Sequence, residues 1–199
     1  GGWYTEIIGP ALKGKGTLIA ASFGMDASPA YRPRLHKALV EKVAGNPEVY
    51  GSVKVTEWLP PEKSSLGPDG SADMVVTFRN VHGWINSGIE KDVFSAIAAV
   101  LKPGGVLGLV QHRAPEGADP SESAKKGYVS QAHVIALAEA AGLVFEASSE
   151  INSNLKDTKD YESGVWTLPP SLTLGEQDQD KYLAIGESDR MTLRFRKPA

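Results

Sequence analysis

Two histidines and two arginines sit where short apolar runs give way to polar chain. His82 follows Ala72-Asp73-Met74-Val75-Val76-Thr77-Phe78, and His112 follows Val106-Leu107-Gly108-Leu109-Val110. Imidazole has an ordinary pKa close to neutrality, so each is a candidate general base; the plain alternative is a backbone hydrogen bond at a strand end. Arg79 and Arg113 lie beside them and could grip an acidic group bidentately. Arg79 has an equal claim to pair with Asp73 or Glu57. Trp84, Trp3 and Tyr4 offer aromatic faces to a cation, although aromatics beside glycine turns more often anchor packing. His36 and His133 fall inside helical stretches and read as structural or solvated. The four histidines have no short metal-ligand spacing, and with zero cysteines there is no thiolate site or disulfide.

A second constellation opens the chain: Gly1-Gly2-Trp3-Tyr4-Thr5-Glu6-Ile7-Ile8. Glycines at a helix mouth let backbone approach a ligand, and the free N–H groups of the first turn favour an anionic group there. Further on, Gly9 to Gly16 nearly spells a phosphate-binding loop. Gly16 replaces the required Ser or Thr, and the order is helix to strand, so the motif is set aside.

Alternating elements must position these residues. Helical spacing marks Tyr4 to Leu12, 28–44, 89–101 and the stretch after Ser130, a natural N-cap. Buried strands are expected at 17–23, 72–78 and 106–110, with further strands at 49–58, 143–151 and 191–196. This order predicts an α/β, doubly wound, mostly parallel sheet with right-handed crossovers and an antiparallel edge strand. The first strand, which should precede the glycines, is expected to be missing from the sequence as given. One domain spans 1–199, and 152–190 forms an insertion between the last two strands that serves as a lid or as decoration. Ligands in such sheets bind beyond the carboxyl ends of the strands. That gathers Gly1-Gly2, Phe23 to Asp26, Glu57-Trp58, Arg79 to Trp84 and Gln111 to Arg113 around one cleft. A net charge of −3 argues against a broad basic nucleic-acid surface, and no apolar run is long enough to span a membrane.

With these pieces placed, the sequence resembles the class I S-adenosylmethionine-dependent methyltransferases, and within them a bacterial family of predicted methyltransferases. The resemblance rests on Gly1 to Glu6, on Ala72 to Val76 leading into Arg79-Asn80-Val81-His82, and on Leu101-Lys102-Pro103-Gly104-Gly105-Val106-Leu107. Glu139 to Leu143 and Phe195 to Pro198 add to it. It implies a Rossmann-like fold, S-adenosylmethionine as cofactor and a small-molecule methyl acceptor, with a homodimer allowed. It also implies that Gly1 and Gly2, with Tyr4, approach the methionine part of the cofactor. Phe23 and Asp26 would lie on the ribose side, Glu57 and Trp58 on the adenine side, and Arg79 and Asn80 over the sulfonium. One departure stands out: the strand before the ribose ends Ser22-Phe23-Gly24 where an acidic residue is usual. His82 and His112 are the candidate catalytic groups. The rivals are a non-catalytic cofactor-binding domain and a nicotinamide-dependent oxidoreductase. A working methyltransferase implies a cytoplasmic location; a removed signal peptide before Gly1 would imply an exported one.

Overall fold

The computed structural model describes residues 2–199, so the cofactor role expected for Gly1 lies outside the described residues. The chain forms two compact units, one ending at Leu66 and one running from Gly67.

In the first unit, α1 (Trp3–Leu12), β1 (Leu18–Ser22), α2 (Tyr31–Gly45), α3 (Pro47–Tyr50) and β2 (Val53–Glu57) follow in order. The two strands pair in parallel, from Leu18 opposite Val53 to Ser22 opposite Glu57, so their carboxyl ends share one edge. The strand expected from residue 49 starts later. The Asn46 side chain accepts the Val49 N–H at 3.2 Å, and Pro47 occupies the first turn, which turns 47–50 into a short helix. Gly9 is a packing glycine: a Cβ there would lie 2.9 Å from Val53 Cγ2.

The second unit holds β3 (Ala72–Phe78), α4 (Val81–Asn86), α5 (Glu90–Val100), β4 (Leu101–His112), α6 (Pro120–Lys125), α7 (Gln131–Ala140), β5 (Val144–Ser149), α8 (Gln179–Ile185) and β6 (Arg190–Arg196). Its sheet runs β3-β4-β6-β5. β3 and β4 are parallel, and β6 is antiparallel to both neighbours. The last two strands do pair antiparallel, but β6 is interior and β5 takes the edge.

Alternation along β4 buries Leu101, Leu107, Leu109 and Gln111 on one face. Val93, Phe94, Ile97 and Val100 of α5, with Val134, Leu137 and Ala138 of α7, are buried too, as are Met191, Leu193 and Phe195 of β6. Burying each such side chain contributes about 1.5–3 kcal/mol. The Lys102-Pro103-Gly104-Gly105 turn lies at the start of β4, where the register with β3 shifts between Ala72 and Met74. Gly104 has φ +77°, and a Cβ on Gly105 would meet Lys102 O at 2.8 Å, so both positions require glycine.

Two strands expected to be buried are not. Ile19 of β1 is 45% exposed, and Met74 and Val76 of β3 are 60% and 39% exposed. β3 ends its sheet, and an apolar run alone does not tell an end strand from a central one.

Candidate functional site

In the first unit, the parallel pairing brings the β2 end against the turn that follows β1. Glu57 closes β2, and its Oε1 accepts the Met25 N–H at 3.4 Å. A Cβ on Gly24 would sit 3.1 Å from Glu57 Oε2, so glycine at 24 makes room for this carboxylate. Lys63 forms an ion pair with it, and His36 Nε2 lies 3.9 Å from Oε1. The Lys63 contact, then the Met25 N–H, hold the Glu57 carboxyl below the usual range. A carboxylate from the end of β2 thus lies beside the turn that follows β1.

Around it, the Arg32 guanidinium stacks 4.9 Å over the Phe23 ring. Asp26 is exposed, and Trp58 Nε1 donates to Ser64 O at 2.9 Å. Gly2 caps α1 with φ +88°, and its carbonyl accepts the Glu6 N–H at 3.2 Å. Tyr4 meets Trp3 edge-on at 5.0 Å, and Trp3 is largely exposed.

In the second unit, the ends of β3, β4 and β6 form one polar cavity of about 300 Å³. Phe78, Arg79, His82, His112 and Arg190 line it, with Trp166, Pro169, Glu187 and Ser188 from the insertion. His112 and Arg190 are cross-strand partners, which sets them on the same face. Arg79 sits at φ +62°, a left-handed conformation that costs a non-glycine residue about 1–2 kcal/mol. Its N–H donates to Val110 O at 2.7 Å, and the turn swings the chain from β3 into α4.

Asp73, one of the acids expected to pair with Arg79, holds Lys102 at 2.6 Å instead. Among the described residues the Arg79 guanidinium has no ion pair. Asn80 Nδ2 donates to Thr77 Oγ1 at 3.0 Å. Trp84 packs edge-on against Phe94 at 6.1 Å, in the role of an anchor.

Gln111 fixes the state of His82. The Val81 N–H donates to Gln111 Oε1 at 3.1 Å, and Gln111 Nε2 donates to Gly127 O at 2.8 Å, so the orientation of the fully buried amide is set. The same NH₂ lies 3.2 Å from His82 Nδ1, which must therefore accept and leave the proton on Nε2. Burial, with Arg79 nearby, pushes the His82 pKa down. Burial also pushes His112 down to about 3, helped by His82, Arg79 and Arg190. Both imidazoles are neutral at pH 7. The Ser188 hydroxyl, itself buried, lies 2.6 Å from His112 Nδ1. The edge of Trp166 meets His82 at 5.8 Å.

Arg113 points elsewhere. It grips Asp189 through Nε and one NH₂ at 3.1 and 2.9 Å, and Glu150 at 3.0 and 2.7 Å. Lys159 adds a 2.8 Å contact to Asp189. Asp157, also buried, accepts from Tyr128 Oη at 3.0 Å and from the Asp189 N–H at 2.8 Å. These bonds pin both ends of the insertion. Sequence reasoning missed Arg190, Trp166 and Ser188 as cavity residues; the antiparallel start of β6 was the only signal for the first.

No protein-family model matches the chain, and none of the curated protein sequences does. Solved structures are similar to it in fold. A S-adenosylmethionine-dependent methyltransferase from Aquifex aeolicus superposes with a TM-score of 0.59 at 14% identity, covering 98% of this chain and 76% of that one. One from Methanosarcina mazei gives 0.58 at 12%, covering 94% and 85%. The fold is that of the class I S-adenosylmethionine-dependent methyltransferases. The methyltransferase fold also carries other chemistry. The [4+2]-cyclase SpnF matches with a TM-score of 0.55 at 16% identity, covering 92% and 76%, so the fold by itself does not fix the reaction. Among the described residues, no helix is long and apolar enough to cross a membrane.

Proposed function

We propose that this chain is a S-adenosylmethionine-dependent methyltransferase acting on a small molecule, of the bacterial kind its sequence resembles. The observation that carries the reading is the polar cavity at the strand ends of β3, β4 and β6, in a chain with the methyltransferase fold. The residues available for the cofactor fit it by chemistry. Glu57 is a carboxylate suited to a ribose diol, in the space that Gly24 leaves open. Gly2 caps α1 beside Tyr4, and the N–H groups of a helix's first turn favour a carboxylate. Phe23, Asp26 and Trp58 flank Glu57, and Asn80 follows β3. S-adenosylmethionine supplies an electrophilic methyl group when bound.

The protein's own part is placement, which provides much of the rate of an in-line displacement. His82, proton on Nε2, donates a hydrogen bond to the acceptor and fixes its heading, while His112, tied to Ser188, lies beside it with the ring centroids 5.9 Å apart. Because both imidazoles stay neutral, neither repels a cationic centre.

The rival reading, a cofactor-binding domain without turnover, draws on the low pKa of His112, which makes it a weak base at pH 7. Calorimetry with S-adenosylhomocysteine and NAD tests the cofactor. Binding of the former is expected, weakened roughly tenfold in Glu57→Gln. Binding of NAD alone would refute the proposal. Turnover on a metabolite panel, lost in His82→Ala, separates enzyme from relic.

A further inference from the structure

Charge within the second-unit cavity is unbalanced. Its ionisable lining groups are Arg79, Arg190, Glu187, His82 and His112. Glu187 pairs with Arg190 at 2.5 Å, at the rim, where the carboxylate side chain is 49% exposed. Arg190 Nε is buried without a hydrogen-bond partner among the described residues. With both imidazoles neutral, two guanidiniums face one carboxylate, and the cavity carries one net positive charge. Arg79 holds a strained backbone conformation, of a kind that clusters at functional sites, and has no ion pair among the described residues. Of the remaining lining, Phe78, Val165, Trp166 and the Pro169-Pro170 pair are apolar, and Ser171 and Ser188 add hydroxyls.

We infer that the ligand of this cavity is a small molecule with an apolar body and one anionic group, carboxylate or phosphate, held by Arg79 and Arg190 once it displaces Glu187. As an account of the methyl acceptor, this rests on the reading of the cavity as the acceptor site. A planar or tetrahedral oxyanion suits the guanidinium fork. Glu187 is its internal stand-in, keeping Arg190 paired until the ligand arrives.

The test is a fluorine NMR titration of the full chain with 4-fluorobenzoate and with neutral 4-fluorobenzamide, using inorganic phosphate as competitor. S-adenosylhomocysteine calorimetry is run on the same samples. The benzoate is expected to bind at least roughly tenfold more tightly than the amide. Arg79→Asn, a residue that tolerates the left-handed conformation, should erase that preference. Glu187→Gln should strengthen benzoate binding several-fold. Displacement by phosphate would point to a tetrahedral group; resistance to it would point to a carboxylate. Should the Arg79 variant melt early, Arg190→Gln provides the same comparison. Equal affinity for both probes, no binding of either, or a preference that survives both arginine variants would overturn the inference. If S-adenosylhomocysteine still binds in those cases, the methyltransferase reading stands. Loss of that binding with the benzoate preference intact would sink the enzyme and keep the anion site.

Discussion

Arg79 and Arg113 each follow an apolar strand, on neighbouring parallel strands, and the fold spends them differently. Arg113 meets two carboxylates, one of them on the buried Asp189, and its donors are consumed in holding the insertion to the sheet. Arg79 meets none among the described residues, sits in a strained turn and faces a cavity. The contrast teaches that an arginine's role is settled by which acids the fold brings to it. Arg113's partner Asp189 lies 76 residues away in sequence, beyond the reach of local pattern.

The sharpest way to break the comparison is at Asp189. Burial alone would raise its pKa, but Arg113, Lys159 and the Asn154 N–H hold it well below the usual carboxylate range. Asp189→Ala should cost about 3 kcal/mol, because it leaves Lys159 without its carboxylate and Arg113 with Glu150 alone; chemical denaturation measures this. A loss near zero would demote the network to surface decoration. At the other pole, Arg79→Gly should leave the protein as stable or more stable by about 1 kcal/mol, since glycine accepts φ +62° freely, while anion binding disappears. A destabilised variant would mean that Arg79 has a structural partner after all.

Acid dependence gives a smaller, separable effect. His112 titrates at about 3 in the fold and near 6.5 when unfolded, so the unfolded chain takes up the proton first. Its contribution is complete above about pH 6.5 and is lost as pH falls towards 3; His82 shifts the same way. Asp189 weakens the fold only below about pH 4, where carboxylates begin to protonate. Urea midpoints should therefore decline between about pH 6.5 and 4, and His112→Gln should flatten that decline.

Much of the scaffold was legible in the sequence. Apolar runs marked β3 and β4, Ser130 capped α7 by accepting the His133 N–H, and Gly104-Gly105 marked the turn at the head of β4. The helices α4 and α6 were not legible. Each has six residues, too few to display a period, and α6 is set by Asp119 capping Ser121 and Glu122. In the candidate site, His82, His112 and Arg79 could be named from strand ends. Arg190 could not, because it opens a strand, and only antiparallel pairing carries an opening residue to the closing edge of its neighbours. Trp166 lies in a stretch without periodicity. Glu57 was readable as a strand-end acid, but its reach across to Gly24 and Met25 depends on the register of β1 and β2.

The antiparallel insertion of β6 between β4 and β5 also sets a timetable. As the chain leaves the ribosome, β4 emerges long before its central partner, and the histidines have no Arg190 or Ser188 beside them until the closing strand docks. Arg190 and Ser188 are thus made well after the imidazoles they stand beside.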